Sequence, residues 1–384
     1  MGFEFVTAPH IVFERGAVKK LPGICAGFGK SCLIVTGGSS LRRSGVLGTL
    51  VNGMTQMGIK ATLYDGASGE PTPDIVDTAV EIGRSAQVDV VLGIGGGSAM
   101  DTAKAAAAII TNGGHVRDYL EGVGTGAKVK ADPLPFIAVP TTAGTGTEVT
   151  KNAVVMSVKD RFKASMRDDR MMARVAVIDP ELTISVPADV TAASGMDAIC
   201  QLIESFTTLQ ANPFCDAMAL YHTPRAMKAL RRAFDDGSDI EARETMSLAA
   251  MVSGMCLANA GLGAAHGVGA GLGAVLGVQH GIACGMLLPH VVRYNAEHGI
   301  TKYAQLAPAI CGRHYKDDTD GAKAVADAVE ELGLYLKLPV SLRDLGVNES
   351  NVEELAAASM GSSMKKNPVS FTLESCRDFI LSLI

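Results

Sequence analysis

The sequence predicts an α/β fold in two parts: a nucleotide-type domain with a parallel sheet over residues 1–186, then an all-helical domain over residues 187–384. Three observations carry this. Short apolar runs alternate with helical patterns through the first half, which implies βαβ units, because crossover helices join parallel strands. One such run passes through a glycine cluster straight into a helix at residues 93–104. Beyond Pro187 the apolar spacing is three-to-four almost to the end, and no β-like run of any length remains.

The elements follow in order. SCLIVTG at 31–37 is a β-type run closed by glycine, and VLGTLVNGMTQMGI at 46–59 has helical spacing. ATLYDG at 61–66 is the next run. PTPDIVDTAVEIGRSAQ at 71–87 reads as a helix, with proline near its start and Asp74 in its first turn. VDVVLGIGGGS at 88–98 leads into the Ala-rich helix SAMDTAKAAAAIITN. PFIAVPTT, NAVVMSV and RVAVIDP are further extended runs. Helical patterns at 186–206, 225–237, 241–263, 323–336 and 351–360 fill the second part.

A chain of 384 residues with 47% hydrophobic and 19% charged residues buries enough apolar surface to exclude disorder as its main state. The net charge is −6, from 34 basic and 40 acidic residues, so no cationic excess is available for a nucleic-acid backbone. Tryptophan is absent and aromatics are 5%, so the core must be aliphatic, alanine and methionine. Cys25, Cys32, Cys200, Cys215, Cys256, Cys284, Cys311 and Cys376 are scattered without a CxxC pair, as expected of reduced, mostly buried thiols in a cytoplasmic protein. MGFEFVTAPHIVFERG has no basic start followed by an apolar stretch, so no signal peptide is expected. No formal charge lies between Glu244 and Arg293, but Asn259, His266, Gln279, His280 and recurrent glycine interrupt that stretch. It reads as buried helices lining a polar site and not as a membrane span.

Three motifs carry chemistry. In GIGGGSAMDTAK, glycines let backbone N–H groups approach a phosphate, and the helix N-terminus adds unpaired donors and a positive dipole end. The spacing is not G-x-G-x-x-G, and a plain glycine turn capping the helix is the competing reading. In VPTTAGTGTEVTKNAVV, short hydroxyls and flexible backbone suit ribose, amide or phosphate contacts; the competing reading is a solvated loop. Asp197, His266 and His280 form the third set. One carboxylate and two imidazoles suit a divalent ion with open positions for a ligand. Gln201 lies one turn after Asp197 on the same helix face.

GGGSAMDTAK, PTTAGTGTE, the Asp197 helix, and the segment from His266 through His280 to LLPH at His290 occur in one order over nearly the whole chain. Together they resemble the iron-containing, or group III, alcohol dehydrogenase family, related to glycerol dehydrogenase and dehydroquinate synthase. The resemblance implies a dinucleotide-binding α/β domain, a helical metal-binding domain (dehydroquinate synthase-like) and a site in the cleft between them. It places metal ligation on Asp197, His266 and His280, with the two histidines at the catalytic centre. The family's fourth ligand, a histidine four residues after the aspartate, is here Gln201, whose carbonyl oxygen is a weak substitute. A second family histidine, four residues after His266, is here Ala270, so the proton is expected to leave through water or a ribose hydroxyl. Fe(II) and zinc both remain open.

The resemblance also marks Gly95, Gly96, Gly97 and Ser98 on the cofactor pyrophosphate, with Asp101 beside them. Thr141, Thr142 and Thr145 fall along the nicotinamide half, with Asn152 and Lys163 nearby. NAD-preferring members carry an acidic residue just after the first strand. Here that turn is VTGGSSLRRSG, where Gly37 leaves room, Ser39 and Ser40 offer hydroxyls, and Arg42 and Arg43 offer charge. With no carboxylate there to repel a 2′-phosphate, NADP is favoured over NAD; the competing reading is a solvated helix start. The implied activity is reversible hydride transfer between nicotinamide C4 and a small alcohol or aldehyde, in a homodimer or higher homo-oligomer. Rival readings are a dehydroquinate synthase-like lyase, a metal-free maleylacetate reductase-like enzyme and a nucleotide-binding protein with a decayed metal site. Against the lyase, the sequence around His266 and His280 offers no Lys/Arg cluster for a phosphate-bearing substrate.

Overall fold

The computed structural model describes residues 2–384. The strands are β1 (Ile11–Phe13), β2 (Ser31–Thr36), β3 (Lys60–Tyr64), β4 (Val90–Gly95), β5 (Phe136–Pro140), β6 (Asn152–Ser157), β7 (Phe162–Arg167) and β8 (Val175–Ile178). The helices of this first part are α1 (Leu21–Ala26), α2 (Ser40–Arg43), α3 (Val46–Gln56), α4 (Pro73–Ala86), α5 (Gly97–Asn112) and α6 (Val116–Tyr119).

Six strands form one parallel sheet in the order β1-β8-β5-β4-β2-β3. From β2 the chain moves outward to β3, then returns past β2 to β4. That reversal leaves a crevice at the C-terminal ends of β2 and β4, the place where open α/β sheets take ligands. Gly37 follows β2 there, and Gly96 follows β4. All of β4 is buried, because helices cover both faces and its apolar run is continuous. Leu33, Val35 and Val91 face Met100, Ala103 and Ala107 of α5. Ile34, Leu92 and Val139 face Leu47, Leu50 and Met54 of α3. Gly93 lets α5 lie this close: a Cβ there would sit 2.8 Å from the Ala103 Cβ.

One extended run departs from expectation. NAVVMSV does not join the main sheet; β6 pairs antiparallel with β7 as a separate hairpin, Asn152 opposite Arg167 and Met156 opposite Lys163. β7 was not anticipated, because FKASMR lacks an apolar run and owes its extended form to β6.

The second part holds α7 (Ala188–Thr207), α8 (Pro213–Asp235), α9 (Ile240–Ala260), α10 (Ala264–Leu276), α11 (His280–Glu297), α12 (Ala307–Cys311), α13 (Asp318–Tyr335), α14 (Val352–Ser359) and α15 (Leu373–Leu381). β8 ends at Ile178 and α7 begins at Ala188. α7 is its axis, packed against α8, α9 and α11. The core is largely alanine, leucine, valine and methionine, with Phe206 and Tyr303 as its fully buried aromatics. The charge-free stretch supplies most of α9, all of α10 and most of α11. Most residues of α9 and α10 are buried, and the two helices meet at 99°. No single helix among the described residues is long and apolar enough to cross a membrane.

The two parts touch backbone to backbone. Gly146 has a left-handed φ of +62°, and a Cβ on it would lie 2.4 Å from the Gly254 Cα of α9. The N-terminal segment also crosses over: Val6 N–H donates to Asn259 Oδ1 at 2.6 Å, and Asn259 Nδ2 returns a bond to Val6 O at 2.8 Å.

Candidate active site

A cavity of about 680 Å³ lies between the sheet crevice and the helices. Asp197, His266 and His280 line it together. Asp197 sits midway along α7, His266 two residues into α10, and His280 at the first position of α11. His266 Nε2 is 3.2 Å from Asp197 Oδ1, and His280 Nε2 is 4.0 Å from the same oxygen. The imidazole rings meet edge to face, 5.3 Å apart. One carboxylate oxygen, two ring nitrogens and the Cys284 sulfur all lie within 4.8 Å of one another. About 3.3 Å separates ligand atoms on a tetrahedral ion with bonds near 2.0 Å, so the donors present fit a divalent metal.

Sequence reasoning missed two groups here. Glu204 is buried two turns after Asp197 on the same face of α7. Its Oε2 is 2.6 Å from His266 Nδ1, and its Oε1 accepts from the Ala265 N–H at 2.7 Å. That partner fixes the ring and leaves Nε2 towards Asp197, as outer-shell carboxylates do for metal-ligating histidines. The i+7 spacing from Asp197 was the available signal. Cys284 lies one turn after His280, with its sulfur 3.7 Å from Nε2. Burial opposes a thiolate there, but a Cys200 hydrogen bond and the two imidazoles hold the Cys284 thiol well below its ordinary range. Burial likewise opposes charge on His266, yet Cys284, Asp197 and Glu204 raise its pKa well above the usual value.

Gln201 lines the cavity with both amide ends engaged. Its Oε1 accepts from Ser253 Oγ at 2.7 Å, and its Nε2 donates to Thr145 O at 3.3 Å. Ala270 also lines the cavity and brings no proton acceptor.

Across the cavity stand Gly96, Gly97, Ser98, Asp101, Thr142, Thr145, Asn152 and Lys163. Gly95 and Thr141 belong to the strand ends behind them, joined by Thr141 N–H to Gly95 O at 2.8 Å. Gly96 is open towards the cavity: a Cβ there meets nothing nearer than Thr142 Oγ1 at 3.5 Å. Ser98 Oγ and Asp101 Oδ1 are buried without a hydrogen-bond partner. Orphaned polar atoms beside an open glycine turn at a helix start fit a dinucleotide's phosphates and amide. Lys163 is 3.3 Å from Glu70.

Beneath this wall is a buried charged group that the motif reading passed over. Lys104 of α5 donates to Thr147 O, Thr150 O and Asn152 O, each at 2.8 Å. It thereby holds the threonine loop against α5, although burial pulls its pKa down to about 8. Burial also pushes Asp101 up to about 6 and Glu148 up to about 7. A carboxyl raised in the folded state contributes stability below its unfolded pKa, and that contribution is lost as pH rises through the folded one. Glu148→Gln removes the loss. Its stability relative to the parent should therefore improve between pH 5 and pH 8, by about 3 kcal/mol at most, measured as urea midpoints. An identical gap at both pH values would refute the raised pKa.

The turn after β2 differs from its sequence reading in one respect. Arg42 reaches Asp65 at 2.6 Å, and Arg43 hydrogen-bonds Ser39. A carboxylate thus stands at the turn, supplied by the end of β3 and not by the turn itself. Ser40 begins α2. Gly37 bridges to Gly66, and a Cβ on it would lie 2.3 Å from Ala67 O, so an aspartate cannot be placed there without moving that backbone. The cation-poor impression of the site is also corrected: Lys151, Lys163, Arg167 and Lys366 all line the cavity. They come from β6–β7 and the 364–366 turn, far in sequence from both histidines.

The iron-containing alcohol dehydrogenase family model matches residues 8–180, and the C-terminal model of the same family matches residues 191–383. The chain is 33% identical to the NAD-dependent methanol dehydrogenase of Bacillus methanolicus, covering 92% of each protein. It is 33% identical to the 1,3-propanediol dehydrogenase of Citrobacter freundii, over 91% of this chain and 88% of that one. A crystal structure of 1,3-propanediol oxidoreductase superposes with a TM-score of 0.93 at 29% identity, covering both chains completely. With this site in the cleft between an α/β sheet and a helical bundle, the chain belongs to the iron-containing alcohol dehydrogenase family and is a metal-dependent, nicotinamide-linked alcohol dehydrogenase.

Proposed function

We propose that Asp197, His266 and His280 hold the divalent metal, with the Cys284 sulfur as fourth donor in place of the imidazole that Gln201 lacks. The observation that carries this is the convergence of the four donor atoms within 4.8 Å at the end of the cavity. When bound, the metal polarises the carbinol or carbonyl oxygen and the nicotinamide exchanges a hydride, so alcohol and NAD(P)⁺ interconvert with aldehyde, NAD(P)H and a proton. Glu204 holds His266 by Nδ1. The Gly96 turn presents backbone donors to the pyrophosphate, and Thr142, Thr145 and Asn152 line the nicotinamide half. Small residues such as Ala258, Gly261 and Ala270 leave room for a small alcohol or aldehyde.

The cofactor's 2′ position is read at the turn after β2, where NADP gains if Arg42 and Ser39 meet its phosphate and NAD gains if Asp65 dominates. Arg42→Ala should lower kcat/KM for NADPH about tenfold, the value of one charge-assisted hydrogen bond, and spare NADH. A native enzyme that already prefers NADH, with a ratio unmoved by this substitution, would assign Arg42 to Asp65 alone. Ser39→Asp is the better introduced carboxylate, since Gly37 has no room for one. The two parts 1–186 and 187–384 act as the domains. Eight unpaired cysteines, seven of them buried, support a reducing cytoplasmic setting. Exposed Phe3, Leu209, Phe214 and Tyr221 support a homodimer or higher assembly. Metal analysis together with NADH and NADPH consumption over an aldehyde panel tests the whole reading; a protein that binds neither metal nor cofactor would overturn it.

A further inference from the structure

The cavity wall beside the metal donors carries more positive charge than the reaction of a simple alcohol uses. Its charged lining consists of Lys151, Lys163, Arg167 and Lys366 against Glu70, Asp101 and Asp197. None of the three carboxylates pairs with Lys151, Arg167 or Lys366: Glu70 pairs with Lys163, Asp101 accepts through Oδ2 from the Val154 N–H, and Asp197 faces the histidines. Lys151 and Arg167 hold carboxylates only on their outer side, Asp169 and Glu121, whose side chains are 70% and 52% exposed. Such pairs are weak and exchange readily with solvent.

Lys366 differs from the other three. It is half-buried, and its ammonium forms no ion pair among the described residues. Burial and the neighbouring Arg167 and Lys151 lower its pKa, so the fold confines one positive charge beside two others. The turn that carries it is clamped to the helix of His266. Asn367 Oδ1 accepts from the Ala264 N–H at 3.1 Å, and Met364 packs on Gly267. The Lys366 stem crosses Gly261, where a Cβ would lie 2.4 Å from its Cδ. A side chain held this way on the wall of the cavity that the metal donors also line, against like charge and without an ion-pair partner among the described residues, suits an anionic group.

We propose that the substrate of this enzyme is an alcohol or aldehyde carrying an anionic group at its far end, with Lys366 as the principal anchor and Lys151 and Arg167 beside it. The reacting oxygen lies at Asp197, His266 and His280, and the carboxylate or sulfonate at Lys366. The inference rests on the dehydrogenase reading above and adds a substrate class to it. Lys163 stays with the cofactor side, paired to Glu70.

The test compares aldehydes of three to six carbons with and without a terminal carboxylate, such as pentanal and 5-oxopentanoate, by kcat/KM with saturating NADH or NADPH. The expected result is a preference of at least about tenfold for the carboxylate member at the best chain length, falling as salt rises. Lys366→Met should collapse that ratio, chiefly through KM for the carboxylate substrate, and Lys366→Arg should restore part of it. Cofactor affinity measured by NADPH and NADH fluorescence reads whether the cations serve the cofactor instead. If Lys366→Met weakens cofactor binding and leaves the substrate ratio intact, the anchor assignment falls. If n-alkanals are reduced as well as their carboxylates, the anion inference falls while the dehydrogenase reading stands. If no aldehyde of either series is reduced, the dehydrogenase reading falls as well.

Discussion

His266→Ala should leave a folded protein that no longer retains its divalent metal and whose turnover is at least about a thousandfold lower, the scale of losing several kcal/mol of transition-state charge stabilisation. The imidazole contributes one of four converging donors and is the only one held from behind by a carboxylate, Glu204 at 2.6 Å. Metal content by elemental analysis should fall with activity, while NADH and NADPH fluorescence titrations stay near the parent values, because the phosphate turn lies across the cavity. Glu204→Gln should produce a milder form of the same defect, about 10–100-fold in metal affinity, as expected for outer-shell partners. Cys284→Ser distinguishes the fourth donor: in the cobalt-loaded enzyme it should remove the sulfur-to-metal absorption band. Full metal retention in His266→Ala would overturn the site.

Gly96→Val should weaken cofactor binding by about a hundredfold or more. The reason is specific to this glycine. Gly97 and Gly95 are crowded by the protein itself, with a Cβ lying 2.9 Å from Thr145 Cγ2 and 2.7 Å from Ala99 Cβ respectively, so their variants would report folding strain. Gly96 faces the cavity with only Thr142 at 3.5 Å, so a side chain there takes the space where a phosphate must approach the backbone donors. The measurement is a fluorescence titration with NADH and NADPH, paired with a melting curve to show that the variant folds. Unchanged affinity in a folded variant would remove the pyrophosphate from this turn.

Much of this arrangement is legible in the amino-acid sequence. Parallel strands announce themselves as continuous apolar runs, so β2, β4, β5 and β8 stood out. The histidines stood out because polar groups are rare in a charge-free stretch. What escaped reading shares a physical character: it depends on partners distant in sequence. β7 is extended only because β6 lies beside it. Lys104 carries no signal of its own in the glycine motif; three backbone carbonyls of the threonine loop hold its ammonium inside. Arg42 offered charge to a phosphate, and only the position of β3 shows that Asp65 reaches it first. The cationic wall combines residues from a hairpin and from a turn some two hundred positions later, so a search near the histidines could not find it. Glu204 was closer to legible, because seven residues along a helix return to the same face.

The glycine contact between Gly146 and Gly254 has a bearing on the chemistry that neither residue suggests alone. Gly146 follows Thr145, whose carbonyl takes the Gln201 amide of α7, four residues from Asp197. On the site proposed above, the two backbones therefore act as a zero-thickness spacer between the wall that would take the nicotinamide and the wall that would hold the metal. Hydride transfer needs its two carbons about 3–3.5 Å apart, and an error of 1 Å costs about a hundredfold. A single methyl group at either glycine is a shim inserted at that joint. It lies at the backbone joint and not in the cavity, yet on the proposed site it would push apart the two walls between which the hydride must cross.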